Sequence, residues 1–294
     1  MPPILSVNDL TVTYPDRGEA SVVATREVSF HLEPGEILGI VGGVGSGKTT
    51  LIRTLSGLLP REARFFSGSA TLDPGAEGEI DLIQMRSRHW RRLRRHRLAV
   101  FFREVISQWN PLRTVRQHVR ETLQLAGRKR EARIEADWMP VFYEVGLIEP
   151  ENLLGRYPHQ LPEVVLLRFL IGMALLKGAD LWIADEFTSG LDATSEDQIL
   201  RLLRELAEKR RIAVLLGTPR FGVIERVADR VAVLFEGGVV ESGAVLDVLR
   251  RPKNRFTRAL LDCQPRLGER RHRLTEIDPS ARRDAIDTTR GVGE

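Results

Sequence analysis

The sequence predicts an α/β fold: a mostly parallel sheet, an antiparallel β-subdomain towards the N-terminus and an inserted α-helical subdomain. Three observations predict it. A glycine-rich octapeptide, Gly42-Gly43-Val44-Gly45-Ser46-Gly47-Lys48-Thr49, joins a short apolar run to an apolar stripe at helical spacing. Apolar runs at 181–184, 212–216 and 231–235 follow, with a helical stripe (Ile199, Leu202, Leu203, Leu206) between the first two. Between the octapeptide and these runs, helical patterns dominate from about 90 to 175, apart from the strand-like 98–102.

Along the chain, 4–14 and 22–32 carry alternating apolar positions, with Pro15-Asp16-Arg17-Gly18 as a turn. The apolar run 37–41 reads as a buried strand. Leu51, Ile52, Leu55 and Leu58 give 48–58 one helical face. Segments 65–72 and 80–83 read as short strands. The helix at 195–209 opens with Ser195 and Gln198 at capping-box spacing. No internal repeat is present, and the chain beyond about 278 is charged, small-residue-rich and expected to be disordered.

Composition narrows the function. The chain has 294 residues, 42% of them apolar, enough for a substantial core. The single cysteine, Cys263, excludes an internal disulfide and a multi-cysteine metal site. The first residues carry no signal-peptide pattern. The longest apolar stretch, 164–176, is interrupted by Arg168 and is too short to cross a bilayer. Any service to a membrane is therefore expected to be that of a peripheral subunit. Net charge is only +4, so overall electrostatics argue weakly for nucleic acid. The local exception is 86–97, with seven arginines in twelve residues. It reads either as a solvated helix with Trp90 and Leu93 facing inward, or as a patch for nucleic-acid or lipid phosphates.

The octapeptide fits G-x-x-x-x-G-K-[ST] between a strand and a helix, the signature of a P-loop NTPase core. Glycines let successive backbone N–H groups converge, and the positive helix end adds to that field. The expected ligand is a nucleoside triphosphate with Mg²⁺, cradled by Gly42, Gly43, Val44, Gly45, Ser46, Gly47, Lys48, Thr49 and Thr50. Lys48 is expected to reach the β- and γ-phosphates, and the Thr49 hydroxyl to ligate Mg²⁺. Leu181-Trp182-Ile183-Ala184-Asp185-Glu186 is an apolar strand ending in two carboxylates. Asp185 is expected to hold Mg²⁺ through water, and Glu186 to accept a proton from attacking water.

These motifs resemble the nucleotide-binding subunits of ABC transporters, and specifically the ATPases of dipeptide and oligopeptide importers. The resemblance covers roughly 4–265. It is carried by the octapeptide, Asn110-Pro111, Tyr157-Pro158-His159-Gln160-Leu161 and Ile183-Ala184-Asp185-Glu186. Ser189-Gly190-Leu191-Asp192 stands in the place of the D-loop, and Ala228-Asp229-Arg230-Val231-Ala232-Val233 and Phe256-Thr257-Arg258-Ala259-Leu260-Leu261 follow. It implies that Tyr14 stacks on adenine, although a strand-end tyrosine packing on the core is the competing reading. It also implies an ABC domain at 1–265, with a helical subdomain at about 88–175 and a C-terminal extension at 266–294.

Three positions depart from the family pattern. Where the resemblance places the Q-loop glutamine, the chain has Arg103, which cannot accept a hydrogen bond from water or ligate a cation. In place of the signature Leu-Ser-Gly-Gly it reads Leu161-Pro162-Glu163-Val164. The hydroxyl is gone, Pro162 lacks an N–H, and Glu163 sets a carboxylate near a polyphosphate. The switch histidine after Thr218 is Pro219. The resemblance thus implies MgATP binding with weak or lost hydrolysis, unless neighbours such as Arg220 or Gln108 substitute. It implies a second, different ABC ATPase subunit, two transmembrane permease subunits and, indirectly, an extracytoplasmic solute-binding protein. The expected location is the cytoplasmic face of the cell membrane. A non-hydrolysing, nucleotide-gated regulatory subunit and a nucleic-acid-associated ABC protein are the alternatives.

Overall fold

The computed structural model describes residues 2–15, 21–73 and 80–263. In chain order the elements are β1 (Leu5–Tyr14), β2 (Val22–Leu32), β3 (Ile37–Val41), α1 (Lys48–Leu55), β4 (Arg64–Leu72), β5 (Ile80–Asp81), α2 (Ser87–His96) and β6 (Leu98–Phe102). They continue with α3 (Val115–Leu125), α4 (Met139–Glu144), α5 (Pro150–Leu153), α6 (Glu163–Leu176), β7 (Leu181–Asp185) and α7 (Ala193–Arg210). The last are β8 (Ala213–Thr218), α8 (Phe221–Val227), β9 (Arg230–Phe235), β10 (Gly238–Ala244), α9 (Val245–Arg250) and α10 (Arg255–Asp262). Most of the expected 15–18 turn and all of the 266–294 extension lie outside the described residues.

The described residues fall into two compact units, one drawn from Met1–Gln84 and Val214–Glu294, the other from Met85–Ala213. In the first, an antiparallel sheet runs β2-β1-β4-β5. Its β1 buries Leu5, Val7, Leu10 and Val12, the inward half of an alternating strand. Beside β3, β8 and β9 pair in parallel on either side, and β10 pairs antiparallel to β9. All five residues of β3 are buried, as a strand covered on both faces requires. Its start is fixed from β9, where Ile37 N–H donates to Asp229 Oδ2 at 2.9 Å and Arg230 pairs with Glu36 at 3.0 Å.

In the second unit β6 and β7 pair in parallel from Leu98↔Leu181 to Phe102↔Asp185. Helix α6 is apolar almost all round, the pattern of a helix buried on most sides. Phe169 on α6 is fully buried and meets Phe142 on α4 edge-on, with ring centroids 5.0 Å apart. Helix α2 is fastened at its C-terminal end. Arg97 donates to Asp180 from both Nε and Nη2 (3.0 and 2.6 Å to Oδ2), and Lys177 Nζ donates to the carbonyls of Arg94 and Leu98 at 2.9 and 2.7 Å.

Some boundaries differ from the sequence reading, for local reasons. Helix α1 stops at Leu55, because Ser56 turns its hydroxyl back to Ile52 O and Gly57 enters the left-handed region at φ 65°. Strand β5 stops at Asp81, whose Oδ1 accepts from the N–H groups of Ile83 and Gln84. Helix α7 begins before Ser195: Asp192 is the cap, accepting from Thr194 and Ser195 N–H at 3.0 Å each. Strand β10 and helices α8, α9 and α10 were not expected as elements.

Phe169→Ala is expected to cost about 3–5 kcal/mol, read as a lower midpoint in denaturant, because it empties a fully packed ring site. Burial, and secondarily Arg94, push the Lys177 ammonium down to about 8 from an ordinary 10.5. Between these two values the unfolded chain holds a proton that the folded chain has lost. Stability from this group therefore rises with pH across that window. Thermal unfolding from pH 7 to 10 is expected to show that rise in the native chain and a flatter profile in Lys177→Met.

Candidate functional site

The first region is the loop between β3 and α1. Gly45 and Gly47 have φ of +79° and +100°, the left-handed region that only glycine enters cheaply. At Gly47 space forbids a side chain as well, because a Cβ would lie 2.2 Å from Ala24 O in β2. At Gly42 a Cβ would lie 2.4 Å from Leu234 O in β9. The loop is held from outside by the two-residue turn between β9 and β10. There Gly237 N–H donates to Ser46 O at 3.0 Å, and Gly237 O accepts from Arg26 N–H at 2.8 Å.

Gly47 is the N-terminal boundary residue of α1 and provides no side-chain cap, so the first-turn N–H groups of α1 are not engaged by one. Lys48 is buried, and its ammonium donates to Gly42 O at 2.6 Å, Gly43 O at 2.8 Å and Ser46 Oγ at 3.3 Å. The Lys48 head thus lies across the loop it is expected to serve. Thr49 and Val44 are exposed, and Thr50 is half-buried. Tyr14 OH lies 3.4 Å from Thr50 Oγ1, which brings the end of β1 to the start of α1. A cavity of about 360 Å³ opens beside the loop, lined by Gly43, Val44, Gly45, Ser46, Phe235, Glu236, Phe256 and Leu260. A glycine backbone that a Cβ would block, an ammonium and an exposed hydroxyl form a donor set that suits a nucleoside triphosphate with Mg²⁺.

The second region is the end of β7. Asp185 is buried and Glu186 half-buried. Glu186 adopts φ +50°, a strained conformation for a residue with a side chain. The turn that follows is fixed by a buried hydrogen bond from Thr188 Oγ1 to Glu196 Oε1 at 2.8 Å. Hydrogen bonds from the Ser195 side chain and backbone, with that of Thr194, hold the Asp192 carboxyl below its ordinary range.

Two of the three departures from the sequence pattern, Arg103 and Glu163, meet in this unit. Arg103, just after β6, points Nη1 at Glu186 Oε2 across 3.7 Å. Glu163, in the first turn of α6, lays its carboxylate on Gly190: a Cβ there would come within 2.8 Å of both oxygens. Arg103, Glu104, Val105, Ile106, Glu163, Ser189 and Gly190 line one cavity of about 310 Å³. Gln108 Nε2 donates to Phe102 O at 3.1 Å, so this glutamine lies back against the end of β6. In the first unit, Thr218 Oγ1 accepts from Arg220 N–H at 3.2 Å, with Pro219 between them.

The family model for the ABC transporter matches residues 25–189, more than half of the chain. The chain belongs to the ABC transporter family. This ABC transporter chain is 34% identical over 283 residues to the dipeptide transport ATP-binding protein DppD of Bacillus subtilis, covering 95% of itself and 82% of that protein. It is 36% identical to the peptidoglycan transport ATP-binding protein YejF of Agrobacterium fabrum, covering 92% of itself but only 48% of that relative. The chain thus spans about half the length of YejF. Among solved structures, cbiO1 of Clostridium perfringens, part of an ABC transporter complex, superposes with a TM-score of 0.69 at 24% identity. That match covers 85% of this chain and 92% of cbiO1. A bacterial ABC transporter cassette solved as a dimer gives 0.68 at 23% identity, covering 82% and 98%. At these identities the two structures speak to the fold, an ABC cassette of α/β type.

The buttress at Gly237 escaped the sequence reading. Its signal was the Glu236-Gly237 pair between apolar runs, a weaker turn mark than Asn-Gly or Asp-Gly. Gly47→Ala is expected to abolish saturable binding of a fluorescent ATP analogue. It is also expected to lower the melting midpoint, since backbone strain of about 1–2 kcal/mol adds to the collision with Ala24 O.

Proposed function

We propose that this chain is the ATP-binding subunit of an ABC import complex that acts on peptides or peptide-like solutes. The observation that carries the reading is the loop before α1, with Gly47 pressed on Ala24 and the Lys48 ammonium spanning the loop carbonyls. The relatives' names, dipeptide transport and peptidoglycan transport, favour this solute class. The site residues are Gly42 to Thr50 for the phosphates, with Lys48 as the charge on the β- and γ-oxygens. Thr49 and Asp185 are assigned to Mg²⁺, Tyr14 to the adenine and Glu186 to the proton of attacking water. When bound, MgATP supplies the phosphoanhydride bond whose cleavage resets the complex. The chain's own groups bind it, orient it and receive the proton.

Hydrolysis is proposed to be weak. Arg103 sets a guanidinium beside Glu186 where the family has an amide, Glu163 occupies the signature position, and Pro219 offers no donor. Loss of one positioned donor commonly lowers turnover about a hundred- to a thousandfold. The partner ATPase is therefore proposed to be a different chain, with two permease subunits completing the assembly and a solute-binding protein outside the membrane. Ile106 and Leu112, both exposed beyond β6, suit a surface against a permease. No helix among the described residues is long and apolar enough to cross a membrane, and a peripheral place at the cytoplasmic face is proposed. We assign 1–265 to the ABC domain, with a helical part at about 88–175. The same Arg103–Glu186 pair favours a second reading, a subunit that closes on nucleotide without turning it over.

Two measurements test this. Titration of the purified chain with labelled ATP and Mg²⁺ is expected to saturate and to lose saturation in Lys48→Ala; equal uptake by both would overturn the ATP-binding role. Steady-state phosphate release is expected to be low in the native chain and higher in Arg103→Gln. A native rate equal to that of DppD, or no gain in the variant, would remove the argument for impaired chemistry.

A further inference from the structure

Helix α2 carries no acidic residue, and three of its five arginines share one narrow face. At 100° per residue, Arg88, Arg91 and Arg95 fall within an arc of about 60°, and Trp90 and Leu93 lie on the opposite side. The structure follows that geometry: Arg88, Arg91 and Arg95 are exposed, and Trp90 and Leu93 are buried. The stripe therefore extends for about 10 Å along one face of the helix. Its residues are spaced i, i+3 and i, i+4, so like charges stand as neighbours and weaken the helix they sit on. A face adapted only to water relieves this by alternating signs.

The stripe is also held in place. Trp90 and Leu93 fix the rotation of the helix, with the Arg94 guanidinium 5.9 Å from the Trp90 ring centroid. Arg97 is clamped to Asp180, and Lys177 binds the carbonyls at Arg94 and Leu98. The arginine heads are thus presented from a fixed base, so little backbone freedom remains to be lost on binding a partner.

We propose that α2 is an adsorption surface for the phosphates of anionic lipid headgroups, which holds the chain against the membrane beside its permease partners. The proposal rests on the peripheral membrane role proposed above. A straight single-signed row of guanidiniums matches a plane of phosphates, and guanidinium forks bind phosphate oxygens in pairs. With both large apolar residues of α2 buried, the helix offers nothing to insert between acyl chains, so contact stops at the headgroups. Nucleic acid offers phosphates too, but the net charge of the whole chain is only +4, which argues weakly for it as the occupant.

The test is co-sedimentation of the full-length chain with vesicles of phosphatidylcholine alone, or of phosphatidylcholine mixed with phosphatidylglycerol, with MgATP binding measured on the same samples. Binding is expected only to the anionic vesicles and is expected to vanish at high salt. The triple variant Arg88→Gln, Arg91→Gln, Arg95→Gln is expected to lose about a hundredfold in partitioning, and the matching triple lysine variant to retain most of it. Unchanged MgATP binding in both variants would show that they are folded. Equal adsorption to neutral vesicles, survival of binding in high salt, or no loss in the glutamine variant would overturn the proposal. So would preferential capture by duplex DNA added in competition. A native chain that adsorbs but binds no MgATP would support the stripe and count against the ATP-binding role instead.

Discussion

The site depends on one close approach: the α-carbon of Gly47 against the carbonyl of Ala24, at a distance that leaves no room for a methyl group. Only glycine fits that contact, and Gly47 takes the left-handed φ of +100° there, at the residue that opens α1. The turn at Gly237 holds the other side through Ser46, and Asp229 and Arg230 fix the strand from which the loop departs. The Lys48 ammonium can be buried because loop carbonyls accept hydrogen bonds from it. A glycine pattern thus becomes a binding geometry through neighbours more than twenty residues away on either side.

The second region shows strain where chemistry is expected. Glu186 is held at a positive φ by what surrounds it: a buried strand before it, the Thr188–Glu196 hydrogen bond and the Asp192 cap after it. Rigid support of that kind orients a carboxylate. What faces the carboxylate is a guanidinium, and the adjoining cavity carries Glu163 on Gly190. The proposal of weak hydrolysis rests on that pairing of a rigidly held carboxylate with a guanidinium.

The fold was legible because its strongest signals are local. β3 and β7 are short apolar runs buried on every residue, β1 and β2 alternate, and the phosphate loop has a fixed spacing. The family resemblance read from those motifs agrees with the family the chain matches. Less legible were features set by tertiary contact. The start of α7 went to Asp192 because a carboxylate reached two N–H groups ahead of the Ser195 pair. The β9–β10 hairpin turns at Glu236-Gly237, both at positive φ, where the local sequence gives only a modest cue. The candidate site residues were proposed from motif spacing and, for Tyr14, from the family resemblance. Their partners, Ala24 at Gly47 and Arg103 at Glu186, could not be read in that way, because they meet only once the strands are in register.

The anchoring of β3 bears on how the polypeptide is made. Its parallel neighbours, β8 and β9, begin at Ala213 and Arg230, and the Gly237 buttress comes later still. An emerging chain that has delivered the glycine loop has not yet delivered the strands that shape it. Pairings so distant in sequence form late and slowly. The glycine loop therefore takes its final shape only after most of the polypeptide has left the ribosome, and an incompletely synthesised copy carries the loop without its supports.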